Sequence, residues 1–119
     1  MPEAVIVSTS RTPIGRAVKG SLVEARPDDM SSFIIKDVLS KTPQLPLHEI
    51  DDVLWGTGQP GGEQGYNIAR IASLMAGLEA PGVTVNRYCS SSLQTIRMAF
   101  HAIAAGEGNI FVAGGVECV

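Results

Sequence analysis

The sequence predicts an α/β fold in which helices cover both faces of a mostly parallel sheet. Short apolar runs, typical of strands buried on both faces, alternate with segments whose apolar residues recur at helical spacing. The resulting order is β-α-β-α-β-α-β over residues 1–119. Strands and helices that alternate in this way indicate a parallel sheet. Neither an internal repeat nor a linker divides the chain, so we expect one domain.

The first half of the chain carries two predicted strands and one helix. The first strand is the apolar run at residues 4–8, followed by a polar stretch at residues 9–26. The helix begins at Pro27, with two acidic residues in its first turn, and ends near Ser40. The second strand, residues 51–56, closes on glycine. The helix therefore connects two strands, as in a β-α-β unit.

The second half continues the alternation. A glycine-rich loop, residues 58–65, precedes a helix that Asn67 is expected to cap. The apolar face of that helix is predicted to consist of Ile68, Ile71, Met75 and Leu78. The third strand runs from Val83 to Asn86. These signals complete a second β-α-β unit.

The last helix begins at Ser90, ends at Gly106 and is followed by a fourth strand at residues 109–115. Its apolar residues have the spacing i, i+3, i+7 and i+10, which places them on one face. They are Leu93, Ile96, Phe100 and Ile103.

Cys89 lies where the third strand meets this helix. A thiol in the first turn of a helix lies beside unpaired backbone N–H groups and the positive end of the helix dipole. Both favour the thiolate, which is the nucleophilic form. Ligands of such sheets bind at the carboxyl ends of strands, where Cys89 stands. These signals leave two interpretations open, a catalytic nucleophile and a buried structural cysteine.

Composition excludes several classes of function. Charged residues make up 18% of the chain and the formal net charge is -3, so no basic nucleic-acid surface is indicated. Cys89 and Cys118 do not form a disulfide framework, and His48 and His101 are isolated from any metal-ligand spacing. We therefore expect no bound metal and no nucleic-acid partner.

Targeting signals are also absent from the sequence pattern. Residues 1–4 contain no basic region before a long apolar stretch, which argues against a signal peptide. No apolar run approaches the ~20 residues of a membrane span. We expect a cytoplasmic protein with reduced thiols.

Four segments together resemble the thiolase family, the acyl-CoA:acetyl-CoA acyltransferases. Residues 86–91 (NRYCSS) are similar to the nucleophile motif of that family. Three further segments agree in order and spacing: residues 11–16 (RTPIGR), 65–70 (GYNIAR) and 114–117 (GGVE). The resemblance covers essentially the whole chain and is closer to the degradative 3-ketoacyl-CoA thiolases than to the biosynthetic enzymes.

The resemblance implies an activity. Cys89 would attack the keto carbonyl of a 3-ketoacyl-CoA and hold the acyl group as a thioester, with its own backbone N–H as one oxyanion donor. Coenzyme A would be a co-substrate, with no permanently bound cofactor, and the pathway would be fatty-acid or related β-oxidation. The family's activating histidine, second cysteine and most CoA contacts would lie beyond Val119. We therefore expect residues 1–119 to be a partial N-terminal domain, inactive alone.

Neither histidine is placed by local geometry to activate Cys89. His101 lies twelve residues further along the helix, about 18 Å away at ~1.5 Å per residue. His48 precedes the second strand, in an expected exposed loop, and could approach Cys89 only through tertiary folding.

The resemblance also implies how the sheet is ordered and how subunits associate. The family sheet is expected to have five strands in the order 3-2-1-4-5, numbered along the chain, with four of them present here. A homodimer, or a dimer of dimers, is expected to form through the third strand, from Val83 to Asn86. An exposed edge strand is a natural pairing site.

Two alternatives remain. Residues 89–93 (CSSSL) also match many ketosynthases, condensing enzymes of the same superfamily, because Ser92 stands where thiolases commonly have glycine. Residues 11–16 and 86–87 favour a thiolase. The other alternative is a non-catalytic fragment or assembly module with this fold.

Several polar residues have simpler structural explanations. Residues 90–92 are serines expected to cap helix donors. Arg11 and Arg16 could contact an anionic ligand such as CoA, but salt bridges are the simpler expectation. Trp55 is expected to pack in the core, and Glu117 to make a structural hydrogen bond.

Overall fold

Three parallel strands form the sheet of the computed structural model, which describes residues 2–119. They are β1 (Asp52–Gly56), β2 (Gly82–Val85) and β3 (Phe111–Gly115). β1 lies in the middle and is hydrogen-bonded to β2 on one side and to β3 on the other. The predicted second, third and fourth strands and their parallel arrangement are therefore confirmed.

Three helices connect or precede these strands. Their bounds are α1 (Pro27–Ser40), α2 (Ile68–Met75) and α3 (Ser91–Ala105). Short 3-10 turns lie at Leu47–Glu49, Gly62–Gln64 and Tyr88–Ser90. The predicted start of α1 at Pro27 and its end at Ser40 are confirmed. Asn67 caps α2 as expected, since its side chain accepts the N–H of Arg70 at 3.3 Å.

The helices lie on opposite faces of the sheet. Trp55 donates its Nε1–H to Ser31 Oγ of α1 at 2.9 Å. The next residue, Gly56, packs against Ser91 at the start of α3. Successive residues of a strand point to opposite faces, so α1 and α3 lie on different sides. α2 connects β1 to β2, whereas α3 crosses back over β1 to β3, and crossovers in opposite directions place their helices on opposite faces.

The core lies between the sheet and the pair α1 and α2. Ile35, Val53 and Ile68 are completely buried there. Trp55 is buried in the same cluster, which confirms its predicted role.

Residues 4–8 do not form the predicted first strand. Residues 5–7 are between 67% and 75% exposed, and Ser8 Oγ donates to Val38 O of α1 at 2.9 Å. The expected strand order 3-2-1-4-5 is therefore also wrong. It places the predicted first strand between the second and the fourth, but those two strands, β1 and β3, are hydrogen-bonded directly to each other. An apolar run indicates a segment suited to burial but does not identify its partner.

The apolar stripe of α3 faces away from the sheet. Leu93, Ile96 and Phe100 are 69%, 45% and 52% exposed, whereas Ser91 and Thr95 are buried. The predicted apolar face of α2 is also partly wrong. Its buried residues are mainly small, namely Ile68, Ala69, Ala72 and Ser73.

A close approach of helices to the sheet explains both differences. A Cβ on Gly56 would lie 2.7 Å from the carbonyl carbon of Ser91, and a Cβ on Gly82 would lie 2.5 Å from the backbone nitrogen of Arg70. Helices held this close leave room for alanine, serine and threonine, not for leucine or phenylalanine. Periodicity identifies an apolar stripe, but backbone separation decides which stripe is buried.

Candidate active site

Cys89 lies at the carboxyl end of the sheet, in the turn that leads from β2 into α3. It is an exposed free cysteine and lines a cavity of about 470 Å³. The other walls of this cavity come from the ends of β1 and β3 and from the start of α3. They include Gly56, Gly58, Tyr88, Ser92, Gly115 and Glu117. The predicted position of Cys89 at the strand–helix junction is therefore present in the fold.

Two side chains hold the backbone around Cys89. Asn86 Oδ1 accepts the N–H of Tyr88 at 2.9 Å. Ser91 Oγ accepts the N–H of Arg87 at 2.9 Å and donates to Tyr88 O at 2.6 Å. None of these bonds uses the N–H of Cys89.

Tyr88 has a left-handed backbone conformation, with φ 48°. For a bulky residue this conformation costs about 1–3 kcal/mol and persists only when the surroundings hold it. The left-handed residue turns the chain sharply between β2 and α3. Strain is therefore stored in the peptide that immediately precedes the candidate nucleophile.

The serines after Cys89 do not cap α3 as predicted. Ser90 is the N-cap residue, yet its hydroxyl donates to Arg87 O at 2.9 Å and accepts no helix N–H. Ser91 also donates to a carbonyl. These hydroxyls stabilise the turn that carries Cys89 and leave the first N–H groups of the helix unoccupied by side-chain caps.

Glu117 and Gln64 form a second group of polar contacts beside the cavity. The expected hydrogen bond of Glu117 is present, and its carboxylate accepts the N–H of Gly58 at 2.7 Å. Gln64 was not singled out by the sequence pattern, although it is only 3% exposed. Two of its partners, Glu117 and Cys118, lie more than 50 residues away along the chain, so local sequence gave no signal of these contacts.

Neither histidine lies at the Cys89 cavity. His101 lines a different cavity at the amino end of the strands, together with Asp52 and Leu54. His48 lies in the exposed turn that precedes β1. Neither histidine therefore lines the Cys89 cavity, and the approach of His48 through folding that the sequence left open is not seen.

The salt bridges predicted for Arg11 and Arg16 are wrong. Within residues 2–119, ion pairs join Arg26 to Asp28 and Glu63, and Lys41 to Asp37. Arg11 and Arg16 instead lie exposed in the polar N-terminal stretch. A positive charge does not by itself predict an ion pair, because an exposed arginine is well hydrated without a partner.

Cys118 differs from Cys89 in its surroundings. Burial raises the pKa of the Cys118 thiol, and the nearby carboxylates of Glu117 and Glu63 raise it further. A raised pKa lowers the thiolate fraction at neutral pH, so Cys118 is poorly suited to nucleophilic attack.

Two negative findings apply to the part of the chain that the structure describes. Within residues 2–119, no group of three or more His, Cys, Asp or Glu side chains is arranged to hold a metal ion. Among the helices of the same residues, none is both long and apolar enough to cross a membrane.

Comparison with known proteins gives one consistent result. Residues 4–119 match the family model described as thiolase, N-terminal domain. The 3-ketoacyl-CoA thiolase of Aeromonas hydrophila is 45% identical over 98% of this chain, and that of Shewanella sp. (strain ANA-3) is 47% identical over the same share. The match covers 31% of the length of each of these relatives. The chain thus spans less than a third of the proteins that it matches.

Proposed function

The chain belongs to the thiolase family, and from this premise we propose that residues 1–119 are the N-terminal part of a 3-ketoacyl-CoA thiolase. The proposed reaction is the transfer of an acyl group from a 3-ketoacyl-CoA to coenzyme A. The observation that carries the proposal is Cys89, an exposed thiol at a strand–helix junction that opens into a cavity.

The proposed chemistry has two steps. The Cys89 thiolate attacks the keto carbonyl carbon, a C–S bond forms, and the bond between the α and β carbons breaks. The departing carbanion takes a proton and leaves as acetyl-CoA. The thiol of a second coenzyme A then loses its proton to a base, attacks the thioester and releases the shortened acyl-CoA, which restores the Cys89 thiolate.

The turn around Cys89 supports an oxyanion site. The neighbouring N–H groups of Arg87 and Tyr88 are already bonded to side chains, whereas the N–H of Cys89 is not used by those bonds. A donor held by a bonded backbone needs no reorganisation when negative charge develops on the substrate oxygen. We assign the Cys89 N–H to that role.

The acid and base that the reaction needs are assigned to a part of the enzyme outside these residues. The residues lining the Cys89 cavity include no histidine, and the chain covers 31% of its relatives. Glu117 accepts hydrogen bonds from the loop after β1, and we assign it to holding that loop. We therefore expect no turnover from the 119-residue chain alone.

The cellular setting follows from the same proposal. Thiolysis of 3-ketoacyl-CoA is the carbon-carbon cleavage step of fatty-acid or related β-oxidation. The reaction needs a reduced thiol at Cys89, which a cytoplasmic location supplies.

A homodimer through β2 is part of the proposal. β2 is paired with β1 on one side only, so its other edge is open among the described residues. Val83 is 37% exposed on this strand. Two copies can pair such edges by backbone hydrogen bonds, and dimers can then associate further.

A chimera tests the proposed activity. The chain replaces the corresponding N-terminal 31% of the Aeromonas hydrophila 3-ketoacyl-CoA thiolase, and thiolysis of acetoacetyl-CoA is measured from the loss of its absorbance. We expect activity in the chimera, none in the 119-residue chain, and loss of activity in the Cys89→Ser chimera. Cys118→Ser is the matched control and should retain activity. A chimera that folds and dimerises but is inactive, or one whose Cys89→Ser variant remains active, would refute the assignment.

A further inference from the structure

The carboxylate of Glu117 accepts four hydrogen bonds from the loop after β1. The N–H groups of Gly58 and Gln59 donate at 2.7 and 3.0 Å. Thr57 Oγ1 and Gln64 Nε2 donate at 3.3 and 3.2 Å. Oε1 accepts three of these bonds and Oε2 accepts the one from Gly58, so both oxygens take part in holding the loop.

Gln64 extends this arrangement to the end of the chain. Its Nε2 also donates to Gln59 O at 2.7 Å and to Cys118 O at 3.1 Å, and its Oε1 accepts the N–H of Cys118 at 2.9 Å. Glu117 and Gln64, with residues 57–59, form what we call the Glu117 clamp. The clamp joins the segment after β3 to the loop after β1.

Gly58 connects the clamp to the turn that carries Cys89. A Cβ on Gly58 would lie 3.0 Å from Glu117 Oε2 and 3.0 Å from Tyr88 O. The loop is therefore held between the carboxylate and the peptide that precedes Cys89. Tyr88 is the residue with the left-handed backbone, and such a conformation persists only where its surroundings fix it.

We propose that Glu117 is a positioning residue for Cys89. By holding Gly58 against the Tyr88 carbonyl, it keeps the strained turn in place and so fixes the thiol and N–H of Cys89 at the cavity. The functional meaning of this inference rests on the proposed role of Cys89 as acyl acceptor.

The test compares variants of the 119-residue chain by the rate at which iodoacetamide alkylates Cys89. Glu117→Gln presents an NH₂ group to loop N–H donors, and Gly58→Ala forces the loop away from Tyr88. Glu79→Gln, at an exposed position, is the matched control. Trypsin cleaves after Arg87 and Arg97, so the Cys89 peptide is separated from Cys118 and its rate is followed independently by mass spectrometry.

Both clamp variants should lower the Cys89 alkylation rate several-fold across the pH profile, at a temperature where circular dichroism shows a folded chain. Glu79→Gln should match the original chain. Thr57→Val removes one clamp bond and should give a smaller reduction, which keeps the test decisive if Gly58→Ala does not fold.

Two outcomes would overturn the inference. If Glu117→Gln lowers the unfolding temperature while the Cys89 rate stays unchanged, the clamp only stabilises the fold. If Glu117→Gln accelerates the alkylation of Cys89 while Gly58→Ala and Thr57→Val leave its rate unchanged, Glu117 acts through its charge and not through position. Alkylation requires no acyl-CoA, so the result is independent of the thiolysis assay and its failure is distinguishable from failure of the proposed function.

Discussion

Asp51 and Asp52 are adjacent residues whose carboxylates have opposite environments. Asp51 Oδ2 accepts the N–H groups of Asn109 and Ile110 at 2.7 and 3.0 Å, and these bonds lower its pKa. Burial raises the pKa of Asp52, whose Oδ1 is buried without a hydrogen-bond partner among the described residues. Adjacent residues of a strand point in different directions. The Asp51 side chain therefore reaches the residues that precede β3, whereas the Asp52 side chain has a buried oxygen.

These environments predict opposite effects of Asp→Asn substitution on the free energy of unfolding. The ionised Asp51 stabilises the fold above the pKa of about 3.9 that it has in the unfolded chain. This stabilisation is lost as the pH falls through the lower pKa that Asp51 has in the folded chain. The ionised Asp52 destabilises the fold above its raised folded pKa, a cost that disappears below about 3.9.

At pH 7, Asp51→Asn should therefore lower stability and Asp52→Asn should raise it, each by about 1 kcal/mol or less. Urea unfolding from pH 7 to pH 3 measures both. On acidification the Asp52→Asn difference should vanish first, near pH 4. If Asp52→Asn lowers stability at neutral pH, the buried Asp52 carboxylate is not the destabilising group described above.

At the scale of elements, the sequence predicted the positions of strands and helices better than their packing. Cys89 was placed correctly because an apolar strand run ends, and a helical pattern begins, on either side of it. The clamp could not be predicted, since Glu117 and Gln59 are separated by 58 residues and only the folded sheet brings them together. The buried face of α3 was missed because backbone separation, set by Gly56 and Gly115, is not visible in periodicity.

Two isoleucines test the observed packing. Ile35 of α1 is completely buried, whereas Ile96 of α3 is 45% exposed. Ile35→Ala should lower the free energy of unfolding by about 2–5 kcal/mol, because it leaves a cavity. Ile96→Ala should cost less than about 1 kcal/mol. Chemical denaturation of both variants checks this, and equal losses would mean that the α3 stripe is buried in the isolated chain.

The open edge of β2 predicts the effect of a charge on dimerisation. Val83→Lys places an ammonium group at the proposed pairing strand and should shift the chimera toward monomers, because lysine disfavours edge-to-edge pairing. Val23→Lys, in the exposed N-terminal stretch, is the matched control and should leave the mass unchanged. Sedimentation equilibrium gives the mass and the dimer dissociation constant of each chimera. If the Val83→Lys chimera dimerises as tightly as the original chimera, the interface lies elsewhere.

At the scale of the whole molecule, the proposed function makes this chain one half of a reaction centre. Cys89 lines a cavity, while His48 and His101 lie elsewhere in the fold. The relatives extend over about three times the matched length. Under the proposed function, attack and acyl storage belong to this chain, and proton transfer belongs to residues outside it.

The most direct test of Cys89 as the acyl acceptor is the mass of its peptide after the chimera is mixed with acetoacetyl-CoA and quenched in acid. We expect one acetyl group on the peptide that trypsin releases between Arg87 and Arg97, none on the Cys118 peptide, and loss of the acetyl group when coenzyme A is added. An active chimera in which Cys89 carries no acyl group, or in which the acyl group forms on Cys118, would contradict it.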